Sequence, residues 1–238
     1  MSHEENTNER SHHYRRPRQH ILRPYRTTED VAGCNGRCSA GAVRGQRRHP
    51  PDLRRTGRGR LCRGRARSIL AQEPGVDLSV TSEVDWQHGL RLYKAYDRDA
   101  GVRDIKDTLD TVAKLPECTG KIAVQGYCLG ALMTFLTAVR CHVNAAVAYH
   151  GGDTEKYLGE VDDLSAPLLM HLGEEDEFIS KAAQAQIKKA LASNPYATVY
   201  SYPGQRHAFA RHNGAHYDAA SATLANGRTS EFLHQYLR

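Results

Sequence analysis

Residues 121–140 have the sequence KIAVQGYCLGALMTFLTAVR, which joins two structural patterns across one short turn. Residues 121–125 form a short, β-rich apolar run that ends at Gly126, and this run predicts a strand. Residues 129–140 are rich in Leu, Met and Ala, and they predict an apolar helix. The stretch therefore predicts a strand, a tight turn and a buried helix in succession.

The same alternation of strand and helix patterns continues along the chain. Upstream, apolar residues at helical spacings within residues 83–114 predict two helices, with Gly101 as the break between them. Downstream, the sequence predicts strands at residues 145–149, 167–172 and 197–202, and helices at residues 181–192 and about 217–236. Continuous apolar strands separated by helices are typical of an α/β fold, a mostly parallel sheet with helices on both faces. The loops at the carboxyl ends of such strands are expected to hold the functional site.

Residues 1–68 differ in composition from the rest of the chain. They hold 17 Arg, no Lys and 6 acidic residues, whereas residues 69–238 hold 16 Lys and Arg and 21 acidic residues, so the net charges are +11 and −5. The few aliphatic residues before Ile69 follow neither a strand nor a helix period. They are too few to offset about 1–2 kcal/mol of backbone entropy per ordered residue. We therefore expect a largely disordered segment at residues 1–68, without the first strands of the fold, and an α/β domain at residues 69–238.

Three interpretations of the basic segment stay open. Abundant Arg, Gly, Pro, Cys and His without Lys, with an abrupt change near Ser68, are typical of a GC-rich gene translated in a shifted frame, and this interpretation is favoured. Residues 47–67 could instead neutralise phosphates as an RNA-binding arm. Cys34 and Cys38 could bind zinc, but their C-x3-C spacing lacks a second ligand pair at an orderly distance. We expect neither a bound metal nor a nucleic-acid partner.

The hydropathy pattern bears on the cellular compartment. The longest apolar stretch, residues 130–139, is interrupted by Thr134 and Thr137 and is shorter than the roughly 20 residues that cross a bilayer. The N-terminal residues lack the apolar core of a secretory signal peptide. The six cysteines do not form the pattern of a secreted disulfide framework. These observations predict a cytoplasmic protein without a membrane span, and we expect it to be a monomer.

The turn between the first strand and its helix has the form G-x-C-x-G of a nucleophile elbow, from Gly126 to Gly130. Glycines two positions before and after the central residue let the strand and the helix approach without Cβ clashes. Cys128 would lie at a helix N-terminus, where the macrodipole favours thiolate over thiol. The alternative is a small buried apolar residue, the usual fate of a free cysteine. In this setting the motif favours Cys128 as a nucleophile.

An acid and a histidine follow later strands at the same predicted edge of the sheet. Asp176 follows the strand at residues 167–172, where a carboxylate can orient an imidazole. Neighbouring glutamates leave the choice of acid open: Glu174, Glu175 and Glu177. His207 follows the strand at residues 197–202, and the chain order of nucleophile, acid and histidine is that of α/β-hydrolases. The other histidines near predicted strands and loops are expected to be packed or solvated: His150, His171, His212 and His216.

Residues 69–238 resemble the dienelactone hydrolase family, the carboxymethylenebutenolidases of the α/β-hydrolase fold. The resemblance rests on four motifs in order: GYCLG at residues 126–130, GEED at 173–176, HAFAR at 207–211 and ATLANGRT at 222–229. It implies that Cys128 is the nucleophile, His207 its base and Asp176 the residue that orients the base. It also implies that the backbone N–H of Leu129 is an oxyanion-hole donor and that Arg211 helps to hold a substrate carboxylate. Relatives need no metal or organic cofactor, so none is expected.

The chain departs from this family in two places. Relatives carry a Gln-Glu-Ile-Phe-Gly stretch near the N-terminus, whose glutamate helps to activate the cysteine and whose loop supplies the second oxyanion donor, and no such stretch occurs here. Trp86 stands about where some relatives have another substrate-binding arginine. We therefore predict a hydrolase that opens a small lactone or ester through an acyl-enzyme, with activity impaired if the N-terminal sequence is aberrant. The alternative hypothesis is a catalytically inactive α/β core with an Arg-rich arm that binds RNA or another polyanion.

Overall fold

The computed structural model of the protein describes residues 29–33, 62–66, 73, 76, 78, 82–115, 118–212 and 214–238, and it describes the first two of these segments through their backbone alone. Its strands are β1 (Glu29–Gly33), β2 (Cys62–Ala66), β3 (Ile122–Tyr127), β4 (Ala145–Tyr149), β5 (Leu168–Gly173) and β6 (Ala197–Tyr202). Its α-helices are α1 (Glu83–Ala95), α2 (Arg98–Ala113), α3 (Leu129–Arg140), α4 (Lys181–Leu191) and α5 (Ala219–Leu237). A 3-10 helix covers Thr154–Asp163, which the sequence patterns did not predict.

The six strands form one sheet in the order β2-β1-β3-β4-β5-β6. Strands β3 to β6 are parallel: Ala123 lies opposite Ala145, and Ala146 opposite Leu168. A parallel connection requires a crossover, and α3 and α4 provide two of them. The predicted α/β architecture, a mostly parallel sheet with intervening helices, is therefore confirmed.

Strands β1 and β2 were not predicted from the sequence. Both are antiparallel to their neighbours, with Val31 opposite Val124 of β3 on one side and Gly64 of β2 on the other. A strand ladder is made by backbone N–H and C=O groups that nearly every residue carries, so pairing does not require an alternating apolar pattern. The remainder of residues 1–68, for which we predicted disorder, lies outside the described residues.

Helices cover both faces of the sheet, and the alternation of side chains along β4 divides the core between them. Ala146 and Ala148 face a cluster that contains the buried side chains of α2, α3 and α4. Ala145 and Val147 face a second cluster that contains Leu233 of α5. Helix α3 is buried over its whole length except at Arg140, as its continuous apolar sequence predicts. No helix in the described part of the chain has the length and hydrophobicity of a membrane span.

The break between the first two helices lies at Tyr96 and Asp97, and the prediction that placed it at Gly101 was wrong. The Asp97 side chain caps α2 by accepting the N–H of Ala100 at 2.9 Å, which is a helix-start signal. Gly101 is buried inside α2, where a Cβ would overlap the ring of Tyr96 and lie 2.9 Å from Cε of Met133. This glycine permits close packing rather than a turn, and packing of this kind leaves no periodic signal in the sequence.

Candidate active site

The turn between β3 and α3 has the geometry of a nucleophile elbow. Cys128 adopts a left-handed backbone with φ 55° and ψ −118°, and its N–H donates to the carbonyl of Tyr149 at the end of β4 at 3.0 Å. A Cβ on Gly126 would overlap the backbone carbonyl of Gly130 and lie 2.6 Å from Oγ1 of Thr134. The strand and the helix therefore touch at Gly126, as the G-x-C-x-G motif requires. This contact fixes the position from which the Cys128 side chain projects.

The carboxylate of Asp176 binds the imidazole of His207. Oδ2 of Asp176 lies 2.8 Å from Nδ1 of His207 and Oδ1 lies 3.1 Å from it, and both side chains are buried. The glutamates that the sequence left open as the acid make other contacts. Glu175 pairs with Lys181 at 2.6 Å, and the carboxylate of Glu177 accepts the backbone N–H of His207 at 3.2 Å. Among the described contacts of these acids, the one with a ring nitrogen of His207 is made by Asp176.

The side chain of His207 also makes a hydrogen bond with that of Cys128. Burial by itself lowers the pKa of His207, but the hydrogen bonds with Asp176 and Cys128 outweigh burial and raise the pKa to about 9. The imidazole is therefore protonated at neutral pH, and because the carboxylate occupies Nδ1, Nε2 is the nitrogen left for the sulfur. The structure brings together all three residues that the sequence nominated from separate loops.

A second histidine, for which the sequence patterns indicate no catalytic role, lies beside this group. His150 follows β4, is 2% exposed, and its ring centroid lies 4.5 Å from that of His207. Burial, followed by the charge of His207, lowers the pKa of His150 well below its usual value, so this ring stays neutral. The expectation that His150 is packed holds, but the ring against which it packs belongs to the site. Its place at the end of the strand next to the elbow was the signal that could have identified it.

Helix α1 places Tyr93 near this group of side chains. The sequence pattern predicted Tyr93 only as one of the apolar residues of a helix. The Tyr93 hydroxyl donates to Oδ2 of Asp153 at 2.7 Å, and Arg98 lies over the Tyr93 ring at 5.0 Å from its centroid. Burial, followed by the hydrogen bond with Asp153, raises the pKa of the Tyr93 hydroxyl, and the nearby charge of Cys128 adds to this effect. The Tyr93 hydroxyl therefore lies within electrostatic range of Cys128.

Backbone strain is concentrated at this edge of the sheet. Among the described residues, four that are not glycine have a left-handed φ: Cys128, His150, Asp153 and Ala208. All of them lie in loops that follow β3, β4 or β6. Strained backbone of this kind costs on the order of 1–3 kcal/mol at each residue and clusters at functional sites. The strain is an indicator of the site that does not depend on any motif.

The remaining residues nominated from the sequence lie around the same edge. Leu129 is the buried first residue of α3, so its backbone N–H belongs to the helix N-terminus beside Cys128. Arg211 is half-buried, and its charge contributes to lowering the pKa of His150, which places it near the imidazoles. Trp86 of α1 packs against Phe178 in the loop after β5, with ring centroids 6.0 Å apart.

Within the described residues, no group of three or more His, Cys, Asp and Glu side chains is arranged to hold a metal ion. Cys34 and Cys38, the residues considered for zinc, lie outside the described residues. The arrangement around Cys128 has the parts needed for nucleophilic catalysis: a sulfur on a strained turn, an imidazole in contact with it, and a carboxylate that orients the imidazole.

The fold and the order of these loops are those of an α/β-hydrolase: an elbow after a central strand, then the acid, then the histidine. Residues 81–237 match the dienelactone hydrolase family. The chain is 35% identical over 162 residues to a carboxymethylenebutenolidase from Pseudomonas putida, covering 68% of this chain and 69% of the relative. It is 30% identical over 162 residues to carboxymethylenebutenolidase 1 from Cupriavidus pinatubonensis, with 68% and 69% covered.

A solved structure gives the same result for the fold. The structure of a Klebsiella pneumoniae protein assigned as a dienelactone hydrolase superposes with a TM-score of 0.62 at 23% identity, covering 75% of this chain and 76% of that one. The chain belongs to the dienelactone hydrolase family. It is thus a hydrolase of ester or lactone bonds, and the predictions of family and enzyme class are confirmed at this level. The family match begins at residue 81, so the basic segment at residues 1–68 has no part in it.

Proposed function

We propose that this protein hydrolyses a small carboxylic ester or lactone, with Cys128 as the nucleophile and an acyl-enzyme as the intermediate. The observation that supports this most directly is the connected series of side chains from Cys128 through His207 to Asp176. These side chains come from three loops that are far apart in sequence. A purely structural role would not require a sulfur, an imidazole and a carboxylate to meet at a strained turn.

The proposed first step is acylation of Cys128. The pKa of about 9 for His207 keeps an imidazolium beside Cys128 at neutral pH, and a positive charge there stabilises a thiolate, the form of cysteine that attacks a carbonyl carbon. As the C–S bond forms, negative charge develops on the carbonyl oxygen, and the N–H of Leu129 at the start of α3 is the proposed donor to it. The C–O bond of the ester then breaks, and His207 gives its proton to the leaving oxygen.

The proposed second step is hydrolysis of the thioester. Neutral His207 accepts a proton from a water molecule, whose oxygen attacks the acyl carbon, and the C–S bond breaks to free the acid. Asp176 holds Nδ1 of His207 throughout, so the other ring nitrogen is directed at the sulfur and the reacting oxygens. Water returns His207 to its protonated state beside the Cys128 thiolate.

The proposed substrate is a small molecule that carries a carboxylate. Arg211 lies near the two imidazoles, and an arginine there can hold a carboxylate by charge-assisted hydrogen bonds. The relative from Pseudomonas putida is named a carboxymethylenebutenolidase, which makes a butenolide lactone a candidate substrate. The Gln-Glu-Ile-Phe-Gly stretch is absent from this sequence, so we expect slower turnover than in a relative that carries it.

The experiment that tests this proposal follows the acyl-enzyme directly. We expect 4-nitrophenyl acetate to be hydrolysed, with one acetyl group on Cys128 detected by mass spectrometry after rapid acid quenching. Cys128→Ala should remove both signals, and so should iodoacetamide. Cys141→Ala is the matched control, because Cys141 is another free and half-buried cysteine and lies beyond the far end of α3. Hydrolysis by Cys128→Ala at the wild-type rate, or no acylation of the wild-type protein, would contradict the proposal.

The comparisons give no support to the alternative of an RNA-binding arm on an inactive core, and most of residues 47–67 lies outside the described residues. The cytoplasmic location and the monomeric state stay predictions. The shifted reading frame of residues 1–68 is also a prediction, and the nucleotide sequence read in its other two frames tests it. A frame that encodes an apolar strand pattern and a Gln-Glu-Ile-Phe-Gly-like segment would support it.

A further inference from the structure

An exposed phenylalanine and a half-buried tryptophan form an aromatic surface beside the candidate site. Phe178 is 51% exposed although it is large and apolar, and it is in the loop that also carries Asp176. Its ring centroid lies 4.7 Å from that of His207, with the two planes nearly perpendicular at 75°. Trp86 of α1 lies on another side of Phe178, with centroids 6.0 Å apart and planes at 45°. An aromatic surface therefore extends from the imidazole towards α1.

The structure holds this surface in place rather than leaving it on a loose loop. The backbone N–H of Phe178 donates to Oδ1 of Asp176 at 2.8 Å, so the carboxylate that orients His207 also fixes Phe178. A Cβ built on Gly152 would lie 3.9 Å from the carbonyl oxygen of Phe178 and 3.9 Å from the hydroxyl of Tyr93. The loops after β4 and β5 and helix α1 thus meet around this point. Exposed apolar area held rigidly beside reactive groups is typical of a ligand-binding surface.

The position of Phe178 indicates which portion of the substrate it contacts in the proposed reaction. In the proposed reaction, His207 gives its proton to the leaving oxygen, whereas the carbonyl oxygen turns to the N–H of Leu129 at the start of α3. Phe178 contacts the His207 ring. A group attached to the leaving oxygen therefore lies near the rings of Phe178 and Trp86, where a flat apolar group can stack on them or meet them edge to face.

We propose that Trp86 and Phe178 form a subsite for a planar, apolar ring in the leaving portion of the substrate, so that aryl esters are preferred over alkyl esters. This inference rests on the proposed hydrolase function of Cys128. The bond that breaks is the C–O bond between the acyl carbon and the ring-bearing oxygen, the C–S bond to Cys128 forms, and the proton of His207 goes to the phenol oxygen.

The first test compares phenyl acetate with 2-naphthyl acetate, whose leaving phenols have similar acidity and whose rings differ in area. We expect the wild-type protein to prefer the naphthyl ester in kcat/KM. Phe178→Ala and Trp86→Ala should each reduce the ratio of the two kcat/KM values by about 10-fold, mainly through KM. Phe178→Leu keeps apolar volume without an aromatic face, so it should reduce the ratio less than Phe178→Ala does.

Two matched controls use exposed side chains away from this surface. Tyr196 is 47% exposed and lies between α4 and β6, and Val84 is 76% exposed and lies on α1 itself. Tyr196→Ala and Val84→Ala should leave the ratio at its wild-type value. A ratio that is unchanged in both Phe178→Ala and Trp86→Ala, while these variants still hydrolyse phenyl acetate, would overturn the inference.

The second test does not depend on catalysis. Trp86 is the single tryptophan of the chain, so tryptophan emission reports on this surface alone. In Cys128→Ala, phenyl acetate should change the emission in a saturable way, ethyl acetate should not, and Phe178→Ala should weaken the response by about 10-fold. A saturable response without hydrolysis by the wild-type protein contradicts the proposed function but supports the subsite. Hydrolysis without ring preference and without an emission response overturns the subsite but leaves the proposed function standing.

Discussion

The carboxylate of Asp176 lies 2.8 Å from Nδ1 of His207, with both side chains buried at the carboxyl edge of the sheet. Buried charges are costly unless they are paired and hydrogen-bonded, and here each charge compensates the other. The opposite nitrogen of the same imidazole is left for Cys128. The carboxylate thus orients the ring and, together with Cys128, favours its positive charge.

The first prediction is that Asp176→Asn lowers kcat for 4-nitrophenyl acetate by about 1,000- to 10,000-fold with a small change in KM. The amide fits the same space, but it can favour the wrong tautomer of His207 and it cannot stabilise the imidazolium. Glu175→Gln is the control from the same loop, because Glu175 is exposed and pairs with Lys181. Equal losses in the two variants would show that the loop's charge, rather than the contact with His207, matters.

The second prediction concerns stability against pH. The pKa of His207 is raised from 6.5 to about 9, so its contribution to the free energy of unfolding is complete below about pH 6.5 and is lost as pH rises through about 9. The loss is on the order of 3 kcal/mol. Urea unfolding at pH values between 6 and 10 measures it in the wild-type protein and in His207→Gln. A variant curve that falls as steeply as the wild-type curve over this interval would assign the loss to other groups.

The elbow could be predicted from sequence because its causes are local. A strand followed by G-x-C-x-G and an apolar helix predicts the turn, the close approach at Gly126 and the position of Cys128. All of this information lies in about ten consecutive residues. The order of Asp176 and His207 after later strands gave the other two residues, since parallel strands place their carboxyl ends at one edge. The bounds of α3, β4 and β6 also agree with the prediction, and for α3 and β4 the reason is that buried elements have continuous apolar sequences.

The residues that sequence reasoning missed act through contacts between distant elements. His150 packs on His207 from another strand end, and Tyr93 reaches Asp153 from a helix 60 positions earlier in the chain. Neither contact has a periodic or motif signal. Gly101 was misplaced for the same reason, since its role is set by Tyr96 and by a methionine of another helix. Residues 29–33 lack the alternating apolar pattern of a strand, and they form one nevertheless because backbone pairing does not depend on that pattern.

The third prediction tests the contact between strand and helix at the elbow. Gly126→Ala should lower the free energy of unfolding by about 3 kcal/mol or more, because the added methyl meets the backbone of Gly130, which cannot rotate away. Gly227→Ala is the matched change in α5, where no atom lies within 4 Å of the built Cβ. It should stabilise the protein by about 0.5–1 kcal/mol, the ordinary helix preference for alanine. Urea unfolding of both variants measures the difference, and similar effects at the two sites would contradict the close approach at Gly126.

The fourth prediction concerns the polar contacts between α5 and the strand that supports the elbow. Oγ1 of Thr229 lies 2.7 Å from the hydroxyl of Tyr149 and 3.0 Å from Nε2 of His171, all of them buried. Thr229→Val keeps the shape but removes both contacts, so we expect a loss of about 1–3 kcal/mol in the free energy of unfolding, since a buried polar group is then left unpaired. Thr223→Val on the exposed side of α5 removes only a hydrogen bond to the carbonyl of Ala219, and it should cost less than about 0.5 kcal/mol. If urea unfolding gives equal losses for the two variants, the cost is that of valine in a helix, and the buried contacts of Thr229 add nothing to the stability of the fold.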